Sequence, residues 1–293
     1  MKSLFLRAAA LWVLLAGPAL AADMSLKPYY KAPPAVAPVF SWTGFYIGGN
    51  VGGAWENTET DYSYVSYPAP APPGFQDVFG PGGPLNVGGG PAVSSAIVDG
   101  FIPTSLGNKN AGVFTAGAQA GYNVQYNQAV FGLEADIEWF ADAVKSTSFV
   151  APPNAAALTN NATQTAGLRW LGTVRGRLGW AADRALFYAT GGLAYGQAVA
   201  TSNATISDGT NTDLFAGDGS GTRYGYAVGG GLEYAFTNNF TGRAEYLYYN
   251  LGTSTYAVAP ANVVAAGEGI ATAASQKFDG SIVRAGLNWK IGG

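Results

Sequence analysis

The stretch VFGLEADIEWF, Val130 to Phe140, sets acids against apolar residues in strict alternation: Glu134, Asp136 and Glu138 against Leu133, Ala135, Ile137 and Trp139. A two-residue period belongs to a β-strand, so one face of this strand is acidic and the other apolar. Two architectures write that pattern. In a soluble β protein the acids meet water. In a membrane barrel the apolar face meets lipid and the acids turn inward. Alternation by itself does not choose, so the choice falls to the rest of the chain.

Composition leans towards lipid. Only 11% of the 293 residues are charged, against about 25% in a typical soluble domain. Aromatics make up 13%, and there are 42 glycines. Mean hydropathy is +0.11, which points the same way weakly, since Gly and Ala raise it without a membrane. Cysteine and histidine are both absent. That excludes disulfides, thiolate metal sites, lipidation on cysteine, Ser–His–Asp hydrolysis and His-containing zinc sites.

The chain opens MKSLFLRAAALWVLLAGPALAAD. Lys2 and Arg7 precede an apolar run from Ala8 to Ala16 that is short for a membrane span, and Ala19-Leu20-Ala21 fits the small-x-small cleavage rule. Residues 1–21 therefore read as a secretory signal peptide. Its removal takes two of the 15 basic residues and none of the 18 acidic ones. No basic cluster is present, so nucleic acid is not an expected partner. Residues 22–41, with KPYYKAPPAVAPV, read as a Pro/Ala-rich extended leader in the periplasm. Residues 42–293 carry the β pattern.

Eight alternating segments follow: Gly44 to Trp55, about Gly112 to Tyr126, Ala129 to Phe140, about Leu168 to Ala181, Arg184 to about Gln197, about Tyr224 to Phe236, Phe240 to Tyr249, and about Ser281 to Ile291. Most reach the length of about ten residues that a tilted strand needs to cross a bilayer. Their connections alternate in length. Asn127-Gln128, Ala182-Asp183 and Thr237-Asn238-Asn239 are tight turns. The others, about Glu56 to Ala111, Ala141 to Gly167, Ala198 to Arg223 and Asn250 to Gly280, are long and rich in Gly, Pro, Ser, Thr, Asn and Ala. Short turns at one end and long loops at the other are the layout of an outer-membrane barrel.

Aromatics put the apolar face outward. Trp55, Trp139 and Trp170 lie towards the long loops, and Tyr126, Trp180, Phe236 and Trp289 towards the short turns. These are the two girdles expected at lipid–water interfaces. In the fourth segment Trp170, Val174, Leu178 and Trp180 oppose Arg169, Thr173, Arg175 and Arg177; in the eighth, Arg284 opposes Val283 and Ala285, with Ile282 an exception on the polar side. The third and fourth segments are hairpin neighbours, which brings Glu134 and Asp136 to the height of Arg175 and Arg177, with Glu138 nearer the mouth. Glu233, Arg243, Glu245 and Arg284 form a second expected cluster on segments six to eight. Charges enclosed in a narrow barrel need partners. They serve either as a structural plug or as the lining of a selective polar pathway.

At this point three motifs carry a resemblance. WTGFYIGGNVGGAW at Trp42 to Trp55, LRWLGTVRGRLGWA at Leu168 to Ala181 and VRAGLNWK at Val283 to Lys290 resemble the small outer-membrane surface antigens of alphaproteobacteria, a family of porin-like, immunogenic and haemin-binding barrels. More distantly the chain is similar to the opacity proteins and the OmpA transmembrane domain. The resemblance implies an eight-stranded barrel with four surface loops. It carries no haemin-binding residue over to this chain, where only Tyr or Met is present to ligate iron. The family usually ends on an aromatic residue read by the assembly machinery; Ile291-Gly292-Gly293 implies a weaker signal. GDGSG at Gly217 to Gly221 and NVGGGP at Asn86 to Pro91 lack the lysine of a phosphate loop and the repeat of a calcium loop, and read as flexible surface loops.

The expectation is therefore all-β: an eight-stranded antiparallel up-and-down transmembrane β-barrel with short periplasmic turns and long extracellular loops. It is no enzyme and takes no cofactor and no metal. Its role is structural, in envelope integrity, and interactive through its surface loops, with a small-solute porin-like channel as the alternative. Expected partners are outer-membrane lipid and lipopolysaccharide, the barrel-assembly machinery during insertion, and a host or surface ligand at the loops.

Overall fold

The computed structural model describes residues 40–64, 103–107, 111–151, 159–207, 212–261 and 272–291. The expected signal peptide, most of the expected leader, the NVGGGP stretch and Gly292-Gly293 lie outside the described residues. The strands are β1 Gly44–Glu56, β2 Thr60–Tyr64, β3 Ser105–Leu106, β4 Ala111–Tyr126, β5 Ala129–Ala141, β6 Lys145–Ala151, β7 Thr159–Ala182, β8 Ala185–Ser207, β9 Thr212–Asp218, β10 Gly221–Ala235, β11 Phe240–Pro260 and β12 Thr272–Ile291. All belong to one antiparallel sheet. Among the described residues no helix is long and apolar enough to cross a membrane.

The count of eight strands is thus corrected to twelve among the described residues. The additional ones, β2, β3, β6 and β9, fall inside segments that read as loops. β7, β8, β11 and β12 also run well past their expected upper ends. The upper part of β7 is TNNATQTA, Thr159 to Ala166, which is small and polar on both faces. It carries no alternation for a sequence reading to find. Cross-strand hydrogen bonds to β6 and β8 make it a strand nonetheless. The turn expected at Ala182-Asp183 lies one residue later, at Asp183-Arg184, and Asp183 takes the positive φ of 51° that closes it. GDGSG, expected to be a flexible loop, ends β9 and starts β10, with its turn held by Ser220 N donating to Asp218 Oδ1 at 2.7 Å.

Eight of the strands each pair with two others of the same eight. β1 pairs with β4 and with β12; β4 pairs with β5, β5 with β7, and β7 with β8. β8 pairs with β10, β10 with β11, and β11 with β12. The faces of this sheet are inverted relative to a soluble protein. On β5, Leu133 is 61% exposed and Trp139 52%, whereas Glu134 is 1% and Glu138 0% exposed. The opening stretch therefore turns its apolar side out and its acids in.

Two bulges change the parity of the inner face. On β7 the register shifts between Leu168 and Leu171, so Arg169 and Trp170 together oppose Gln197 of β8. On β11 it shifts between Asn250 and Thr253, where Gly252 takes a φ of +78°. Inward residues are odd-numbered below the β7 bulge and even-numbered above it. Arg169, expected on the inner face opposite Trp170, is consequently exposed beside it. A bulge re-aims a side chain in this way.

Candidate functional site: a buried charge network

The inner faces of β5, β7, β10, β11 and β12 carry the nine charged residues of the two expected clusters. Register sets the neighbours: Glu134 opposes Arg175, Glu245 opposes Arg284, and Glu233 opposes Arg243. Arg175 Nη2 lies 2.8 Å from Glu134 Oε1 and 2.5 Å from Asp136 Oδ2, while its Nη1 reaches Glu245 at 3.1 Å. Arg177 bridges Glu134 at 2.7 Å and Glu233 at 2.8 Å. Arg243 binds Glu134 at 2.7 Å. Arg284 holds Asp136 at 3.1 Å, Glu138 at 2.9 Å and Glu245 at 2.5 Å. The two clusters expected from the sequence are one network, because side chains of Arg length cross the narrow interior between opposite walls.

Five carboxylates meet four guanidiniums here, and neutral donors add further hydrogen bonds to the carboxylates. Tyr46 Oη donates to Glu134 at 2.7 Å, Thr173 Oγ1 to Asp136 at 3.0 Å and Asn288 Nδ2 to Glu233 at 2.8 Å. Thr241 Oγ1 also donates to Glu233. Arg177 stacks on the Tyr188 ring with its Cζ 4.1 Å from the centroid. Glycine makes room for the tyrosine: a Cβ at Gly231 would fall 2.7 Å from Tyr188 Oη. Tyr46 and Tyr188 were missed as interior residues. Their signal was parity, since each lies an even number of residues from a neighbour that faces inward.

Buried apolar residues flank the charged layer on both sides. Towards the long connections lie Leu168, Leu171, Leu247, Tyr249, Phe278 and Ile282, all buried. Ile282, the exception in its strand, belongs to this layer. Towards the short turns lie Phe40, Trp42, Val130, Leu186 and Ala235. Phe40 and Trp42 precede β1 and pack edge to face, with centroids 4.9 Å apart. Trp42 N donates to Gln125 Oε1 at 2.7 Å and Trp42 Nε1 to the Asp183 carbonyl at 3.3 Å. Lys290 Nζ donates to the Ser41 carbonyl. The chain thereby crosses the turn end of the sheet before entering it. Each of the five carboxylates is held by at least one arginine.

The outer face bears the aromatics named as girdles. Trp55, Trp139, Tyr126, Trp180, Phe236 and Trp289 are each 47% exposed or more, Tyr126 reaching 74%. Trp139 and Trp170 are register partners near the long-connection end, and Trp170 meets Tyr195 edge to face at 5.8 Å. An outer surface this apolar over a charged interior requires an apolar solvent.

The family model described as the outer membrane protein beta-barrel domain matches residues 9–290. The chain belongs to that family. This outer-membrane protein is 33% identical to the 31 kDa outer-membrane immunogenic protein of Brucella melitensis over 86% of its own length and 88% of the relative's. It is 34% identical to the 22 kDa outer membrane protein of Rhizobium leguminosarum bv. viciae, over 54% of this chain and 66% of that one. Among solved structures it is similar to Neisserial surface protein A, with 12% identity, a TM-score of 0.36 and coverage of 85% of this chain and 98% of that one. It is also similar to OprG from Pseudomonas aeruginosa, at 11% identity and a TM-score of 0.37, covering 86% and 97%.

Proposed function

We propose that β1, β4, β5, β7, β8, β10, β11 and β12 close a transmembrane barrel that serves as a plugged scaffold, without catalytic activity, displaying its long connections at the cell surface. The observation that carries this reading is the burial of the charged layer. Arg175, Arg284 and Glu138 have side chains with no exposed area, and an apolar layer lies on each side of them. Barrels of about eight strands have interiors filled by side chains rather than an aqueous channel. Four guanidiniums tying five carboxylates across the interior hold opposite walls together, which suits a structural role in the envelope. The Brucella relative is named as immunogenic, and surface-exposed loops on this chain are the corresponding expectation. Outer-leaflet lipid, the assembly machinery and a loop ligand are the partners this role implies.

Planar-bilayer conductance tests it. The purified folded barrel should give no steady, resolvable channel. Steady channels that change on Glu134→Gln or Arg175→Ala would overturn the plugged reading in favour of a small-solute pore.

A further inference from the structure

The β7 bulge has an outcome that the buried charged layer does not use. Below it, Thr173, Arg175 and Arg177 point inward. Unbroken alternation would send Arg169 the same way. The extra residue sends it outward instead, while Leu168 and Leu171 on either side are 2% and 0% exposed. Gly167, with a φ of +153°, lets the chain pass close to the Ala143 carbonyl just above.

Among the described residues every other arginine is engaged. Arg175, Arg177, Arg243 and Arg284 are in the network. Arg184 donates to the Ala235 carbonyl at 3.3 Å and Arg223 to the Gly219 carbonyl at 3.0 Å. Among the described residues Arg169 has neither a hydrogen-bond nor an ion-pair partner. It follows directly on the level of Trp139 and Trp170, the register pair of the outer girdle. Interfacial tryptophans mark the headgroup boundary, so a cation one residue beyond them sits at phosphate height. A guanidinium there has the planar donor fork that matches phosphate oxygens.

We propose that the bulge turns Arg169 outward to bind a phosphate on an outer-leaflet lipid headgroup, the phosphorylated glucosamine of lipopolysaccharide, with Trp139 and Trp170 seating the apolar part beneath. The leaflet assignment rests on the orientation proposed for the barrel; the binding itself does not. Folded protein in detergent is titrated with bisphosphorylated lipid A and with dephosphorylated lipid A, and bound fractions are read by native mass spectrometry. A basic side chain near a lipid surface contributes about 1 kcal/mol. Arg169→Ala should therefore weaken binding of the phosphorylated lipid about fivefold, Arg169→Lys should lose less, and all variants should bind the dephosphorylated lipid alike. Equal affinity of wild type and Arg169→Ala for phosphorylated lipid A overturns the proposal. Displacement of the lipid by millimolar inorganic phosphate also overturns it, since the site would then be a general anion site. Should Arg169→Ala lose the heat-dependent gel shift of a folded barrel, Arg169→Gln gives the same comparison at near-constant length. An inverted orientation would show in protease accessibility on cells and leave these affinities unchanged.

Discussion

At the scale of single residues, the acids of VFGLEADIEWF face arginines rather than water, and their environment makes each arginine hard to remove. Arg175 touches Glu134, Asp136 and Glu245 and also donates to Thr173 at 2.9 Å. Arg175→Ala would leave three fully buried carboxylates with fewer cations. Breaking a buried pair by removing one partner costs about 3–5 kcal/mol. Urea unfolding of the refolded protein in lipid vesicles should register a loss of that size. A loss within about 1 kcal/mol, as for an exposed pair, would mean that water reaches the layer. The pairing of Glu134 and Asp136 with Arg175 and Arg177 was legible because β5 and β7 were expected hairpin neighbours whose charges lay at matching heights. The links from Arg177 to Glu233 and from Arg243 to Glu134 were not, because they span the interior between strands that never pair.

At the scale of elements, the two apolar layers of the interior are built differently. The layer towards the long connections comes from strand side chains fixed in the sheet. The layer at the turns depends on Phe40 and Trp42, carried by a short segment with few backbone bonds. The chain has no cysteine, so Ala235→Cys places a sole thiol beneath that segment and Leu247→Cys one in the opposite layer. A thiol reagent should leave both unlabelled when Phe40 and Trp42 are intact. Truncating a buried aromatic costs about 3–5 kcal/mol. Phe40→Ala with Trp42→Ala should therefore speed labelling at position 235 by at least about tenfold, with position 247 still protected. Equal labelling at 235 in both backgrounds would show that the segment does not close that end. Elements also mark where alternation misled: the bulges on β7 and β11 switch which parity faces inward, and a bulge leaves no periodic trace in a stretch such as GLRW, Gly167 to Trp170.

Across the whole molecule, the connections are asymmetric. β8 has 23 residues, about 75 Å at the usual rise, whereas a tilted strand needs only about ten residues to cross. The excess lies at the end with β2, β3, β6 and β9, so the sheet continues beyond the girdle of Trp55, Trp139 and Trp170. If that end is outside the cell, protease added to intact cells should cut between Tyr64 and Ser105 and spare Asn127, Asp183 and Asn238. Cleavage at those turns with the long connections intact would invert the orientation. The tight strand pairing beyond the girdle predicts that cutting stops short of the upper halves of β7 and β8.

What the sequence determined by itself was which face is which. Period-two alternation, sparse charge and aromatics clustered at strand ends are local or additive properties, and each survives in a linear reading. It also fixed the short turns to within a residue. What only tertiary structure decided was pairing over distance. Polar strands such as Thr159 to Ala166 exist because a neighbouring strand satisfies their backbone. The single charge network exists because opposite walls come within an arginine's reach. The outward turn of Arg169 exists because one residue more on β7 than on β8 must bulge for the ladder to resume. None of these is encoded in any one segment, since each is a relation between two.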